Sequence, residues 1–133
     1  MGIWGPRTFD NDFAFDLLED VESTGAWAIG EALEALTTSE PDAPLENEPC
    51  ARAIAAAEIV AGRVGQGSPE LPPDVVEWCE TSEWDAAPLR ATAARAVNLA
   101  RSALRSELRK FWTGRPDSDA WAERLADLER RLA

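Results

Sequence analysis

Residues 50–64 read CARAIAAAEIVAGRV. Only Arg52, Glu58 and Arg63 carry charge in this run, and the apolar residues go nearly all the way round a helical wheel. A helix with no polar face is stable in water only when other helices enclose it. Its alanines are strong helix formers and let neighbouring backbones approach closely. The stretch therefore predicts an all-α fold, a compact bundle with this helix at its centre.

The flanking sequence supplies the enclosing helices. No alternating β pattern of useful length is present, whereas apolar residues recur at helical spacing between Gly/Pro-rich joints. A first helix is expected from an Asp10 N-cap to about Ser23, with Phe13, Leu17 and Val21 on its apolar stripe. A second runs from about Ala26 to Thr38 and presents Ile29, Leu33 and Leu36. The acidic, proline-bearing loop SEPDAPLENEP leads to Asn47, read as the cap of the central helix, which continues to Val64. PDVVEWCETS forms a short fourth helix, and a long fifth spans about Ala87 to Trp112, with Leu104 and Leu108 on its inner face and Arg101, Arg105 and Arg109 on another. A last helix, capped by Asp117 or Ser118, carries Trp121, Leu125, Leu128 and Leu132. About six helices result, in one domain covering residues 1–133, with residues 1–9 as an extended segment packed on the bundle.

Composition excludes more chemistry than it suggests. The 133 residues include no histidine and no tyrosine, which removes imidazole-based triads, zinc sites built on histidine and histidine proton shuttles. Cys50 and Cys79 fit no CxxC pattern and read as buried thiols in a reducing compartment. No signal-peptide pattern and no membrane-length apolar run is present, so a cytoplasmic protein without membrane association is expected. Twelve arginines against one lysine, with abundant alanine, suggest a bacterial origin.

The net charge of −12 is uneven: residues 1–48 hold twelve acids against Arg7 alone, while residues 89–133 hold ten bases against six acids. Such acidity repels phosphate, so no nucleic-acid partner is expected. A basic protein partner, or a homo-oligomer joining acidic front to basic back, fits the asymmetry.

Four groups of residues are candidates for function. MGIWGPRTFDNDFAFD threads Asp10, Asn11, Asp12 and Asp16 between aromatic residues. A functional site and a carefully capped first helix both fit this pattern; in the second reading Gly2 and Gly5 let the chain turn around Trp4, whose ring plugs the bundle. Asp12, Asp16 and Glu19 share one helical face and fit either a solvated surface or a weak site for a hard cation. Glu58 interrupts the enclosed helix, where an unpaired charge costs several kcal/mol. A rim arginine, Arg90 or Arg101, is its expected partner in a structural ion pair, with a catalytic acid of raised pKa as the alternative. Glu31 and Glu34, on the second helix, have no evident structural task and are the candidate partner surface. Each tryptophan is expected to plug the core or a helix joint, with Trp84 partly exposed.

MGIWG followed by FDNDFAFD, then AAAEIVAG, LPPDVVEW and SELRKFW in the same order, resembles the bacterial family catalogued as domain of unknown function 4259. The blocks span most of the chain. The sequence departs from the pattern at Pro6, Arg7 and Thr8, where a smaller, more glycine-rich turn is expected. The resemblance implies a small, mainly helical domain and brings no activity. The expected function is accordingly a non-catalytic protein-interaction module of regulatory or immunity-like character. An enzyme or divalent-metal protein using the acids of helix one is the alternative, and a self-associating structural protein comes third. No cofactor is expected.

Overall fold

The computed structural model describes residues 2–133, so Met1 of the predicted extended segment lies outside the described residues. Those residues form seven α-helices: α1 (Asp12–Thr24), α2 (Trp27–Thr37), α3 (Asn47–Arg63), α4 (Pro73–Thr81), α5 (Arg90–Ala100), α6 (Glu107–Trp112) and α7 (Ser118–Leu132), with one 3-10 turn at Ala87–Leu89. The only β pairings among them are two isolated bridges. Among the described residues no helix is long and apolar enough to cross a membrane.

The central helix is α3. Every other α-helix packs against it, and from Ala53 to Ala61 all of its residues are buried. This is the enclosure that its uniformly apolar surface requires. The inner faces of α1, α2 and α7 are those their periodicities predict: Leu17 and Val21, Ile29, Leu33 and Leu36, and Trp121, Leu125, Leu128 and Leu132 are buried. Gly65 takes a left-handed φ of 86° just beyond α3, while Gln66 N donates to the Ala61 carbonyl at 2.8 Å, so the glycine-rich run after the central helix is a helix stop. Cys50 and Cys79 are free buried thiols, and desolvation pushes the Cys50 thiol up to about 11.

The structure corrects the expected long fifth helix. The chain leaves helical geometry after Ala100 and resumes it at Glu107. Leu45, from the proline-rich loop, inserts its backbone there: Leu45 N donates to the Arg105 carbonyl and Glu107 N to the Leu45 carbonyl, both at 2.8 Å. Two serines cap the broken ends, Ser102 Oγ accepting from Arg105 N at 3.2 Å and Ser106 Oγ from Arg109 N at 3.0 Å. The Arg105 guanidinium fastens the loop by donating to the carbonyls of Ala43 (3.0 Å) and Glu40 (2.7 Å) and to Ser39 Oγ (2.8 Å). Leu104 consequently points outward at 89% exposure, and the arginine stripe disperses: Arg101 pairs with Glu129 at 2.5 Å and Arg109 donates to the Arg101 carbonyl.

Two smaller corrections concern caps and tryptophans. Glu46 occupies the N-cap position of α3 and Asn47 is its first residue. Trp112 and Trp121 are buried and stacked with ring centroids 6.4 Å apart, but Trp4 and Trp27 are outward-facing at 58% and 67% exposure.

Candidate functional site

The N-terminal segment doubles back on the start of α1. Trp4 N donates to the Asp10 carbonyl at 2.9 Å and Asp12 N to the Gly2 carbonyl at 2.8 Å, with Ile3 and Asn11 paired antiparallel between them. Asn11, not Asp10, is the N-cap: its Oδ1 accepts from Ala14 N at 2.8 Å while its Nδ2 donates to the Thr8 carbonyl at 3.1 Å. An amide serves both sides of the junction because it both donates and accepts; a carboxylate only accepts. Asp10 instead accepts from Arg7 N, and Asp12 from Gly2 N, each at 3.1 Å. A Cβ on Gly2 would lie 2.6 Å from Asp12 Oδ2, and one on Gly5 would run into the Asp10 carboxylate, so both positions need glycine for close approach. The ring that closes onto the core is Phe9. Trp4 stacks outside on Phe15, centroids 6.3 Å apart, so its predicted role as a plug is not the one it has.

The acids of helix one do not converge. Asp12 is held by Gly2, Asp16 and Glu19 point into solvent, and Asp20 pairs with Arg52 at 2.5 Å. Among the described residues no three acids or thiols are grouped to hold a metal ion.

Glu58 is 5% exposed, as its place in the enclosed helix predicts, but its partner is Arg131 on α7. The Arg90 side chain instead takes the carbonyls of Arg131, Leu132 and Ala133 at the end of α7, and Arg101 takes Glu129. Arg131 Nη1 lies 2.7 Å from Glu58 Oε1. The aligned N–H bonds of that guanidinium go elsewhere, from Nη1 to the Gln66 carbonyl at 3.0 Å and from Nε to Asp127 Oδ2 at 2.8 Å. Glu58 Oε1 is thus buried against the Arg131 guanidinium in a structural ion pair. Burial pushes the Glu58 carboxyl above its ordinary value, and Arg131 opposes that only in part.

The same carboxylate lines a cleft of about 530 Å³ between the N-terminal loop, the Ser68–Pro72 turn and α7. Five acids (Asp10, Glu58, Glu70, Glu123, Asp127) and four arginines (Arg7, Arg124, Arg130, Arg131) surround it, beside Phe15, Leu71 and Pro72. Sequence reasoning identified Asp10 and Glu58 separately and missed that the chain brings them to one cavity. It also missed Arg124 and Arg131, whose only signal was an arginine on either side of the inner stripe of the last helix.

Glu31 and Glu34 are exposed on α2. Trp27 precedes them at i, i+4 and i+7 spacing, so the outward indole and the two carboxylates lie along one face. Among the described residues, Asp20 is the only acid between Asp10 and Glu48 in an ion pair.

Residues 2–124 of the chain match the profile of the family described as "Domain of unknown function (DUF4259)". Neither the curated proteins nor the solved structures give a match.

Proposed function

The chain belongs to the DUF4259 family, and we propose that it is a non-catalytic interaction module whose α2 face docks a basic protein. The observation that carries the reading is Trp27, a large apolar side chain 67% exposed on the most acidic part of the molecule and aligned with Glu31 and Glu34. Tryptophan is enriched among residues that anchor protein interfaces, and acids around it steer a basic surface towards it. The negative charge of residues 1–48 is largely unneutralised within the chain. By contrast Arg90, Arg101, Arg105, Arg124 and Arg131 are all engaged internally, which favours a different basic protein over a second copy's basic back.

The test is affinity capture from the native cell with wild-type protein and with a Trp27→Ala/Glu31→Gln/Glu34→Gln variant in parallel, followed by kinetics on the captured partner. Association is expected to slow steeply as the Debye length falls to about 8 Å at physiological salt. The glutamate changes slow association, and Trp27→Ala speeds dissociation about tenfold or more. A partner whose binding is indifferent both to salt and to these substitutions overturns the assignment.

A further inference from the structure

α1 and α4 both pack on α3 and scarcely on each other, and a groove of about 250 Å³ lies between them. Phe15, Leu18 and Val21 of α1 form one wall, Val75 and Trp78 of α4 the other, and Ile59 of α3 the floor. α1 therefore carries apolar residues over a wider arc than its core contact uses: Leu17 and Val21 are buried, while Leu18 is half-buried and Phe15 exposed. Trp4, stacked on Phe15, extends that wall outward, and Trp84 backs Trp78 with ring centroids 5.7 Å apart. Neither the core nor the N-terminal turn requires an outward Trp4–Phe15 pair. Contiguous exposed apolar surface with a polar rim marks an interaction site.

The rim restricts what fits. Glu19, Glu22 and Asp74 are its charged residues, no cation lines the groove, and none of the three carboxylates is in an ion pair among the described residues. An acidic surface meets uncompensated repulsion there, whereas an apolar row flanked by Lys or Arg suits both walls and rim. Among the described residues there is no strand whose edge a partner could extend, and both flanks are helices, so the matching occupant is a helix that inserts side chains at i, i+3 or i+4, and i+7. A second copy has no such helix to give: the apolar stripes of α1, α2 and α7 are buried in its own core, and its outward Trp27 lies beside Glu31 and Glu34, which the acidic rim repels. We propose that the groove between α1 and α4 docks a basic amphipathic helix of a partner protein, its apolar row seated on Phe15, Leu18 and Trp78 and its basic flanks facing Glu19, Glu22 and Asp74. No residue of α2 lines the groove, so the inference does not rest on the α2 interface.

Fluorescence anisotropy of a labelled model helix, with leucines at i, i+3, i+4 and i+7 flanked by lysines, tests this on the full chain. One control peptide replaces the lysines by glutamates, and another places the same leucines and lysines in strict alternation, the period of a strand. Saturable binding of the basic helix alone is expected, and methyl NMR spectra place its shifts on Leu18, Val21, Ile59 and Val75. Glu19→Gln/Glu22→Gln slows association severalfold, and Phe15→Ala, at an exposed position, weakens binding about fivefold or more. Glu31→Gln/Glu34→Gln, which removes the same charge elsewhere, changes neither. The proposal is overturned by absence of saturable binding of the basic helix, by equal binding of either control peptide, by methyl shifts confined to other surfaces, by equal loss in the Glu19/Glu22 and Glu31/Glu34 variants, or by self-association that covers these methyls without peptide.

Discussion

Replacing Arg131 by alanine removes the only cation paired, among the described residues, with a carboxylate that is 5% exposed. Arg131 is itself largely enclosed, its side chain 16% exposed; Arg90 and Arg101 are tied to the end of α7 and to Glu129, and Arg7, Arg124 and Arg130 in the same cleft are paired with Glu70 and Asp127. Breaking a buried pair from one side costs about 3–5 kcal/mol when the remaining charge cannot escape. Glu58 has one escape, which is to take up a proton. Its carboxyl is already raised by burial, and loss of Arg131 removes the largest influence holding it down, so it rises further. Because the folded pKa lies above the unfolded value of about 4.3, the folded state binds more protons, and stability falls as pH climbs between the two values, by at most about 1.4 kcal/mol per pH unit.

Arg131→Ala is therefore expected to be mildly destabilised at pH 5.5 and increasingly so by pH 8, the deficit against wild type widening as the buried carboxyl is made to ionise. Urea unfolding of wild type and variant at pH 5.5, 6.5 and 8 measures it. Adding Glu58→Gln to the variant removes the titrating group and flattens the profile. A deficit constant with pH, and unchanged by the second substitution, would refute a buried Glu58 charge as its cause and leave only the lost packing of the arginine stem.

Asn11→Ala is expected to cost about 0.5–2 kcal/mol in chemical denaturation, the range for an N-cap, whereas Asp10→Ala costs less because its carboxylate holds only an exposed turn. Ser106→Ala removes a fully buried hydroxyl that caps α6 and lies 3.7 Å from Cys50 Sγ, and about 1–2 kcal/mol should be lost in the same measurement. Its loss also makes the 101–106 joint exchange amide protons faster, which hydrogen-exchange mass spectrometry reads directly.

The helical class, the central position of residues 50–64 and the inner faces of α1, α2 and α7 were legible in the sequence. Each depends on the period of apolar residues along one segment, and that period is a local property. A burial requirement is also local, which is why Glu58 could be placed in the core and assigned an ion pair before any fold was known. Which arginine meets it was not legible, because Arg131 lies 73 positions away and reaches Glu58 only through the packing of α7 on α3. The break at 101–106 was hidden for the same reason: its periodicity is compatible with one long helix, and the competing hydrogen bonds come from Leu45, a loop residue whose approach the local pattern does not encode. Asp10 and Asn11 divided the capping role by a geometry in which the amide must also reach Thr8, a contact created by the folded-back N-terminus. The chain's own chemistry determined which groups had to be buried, paired or capped; tertiary packing decided with what, because a partner is selected by distance in space and the sequence records only distance along the chain.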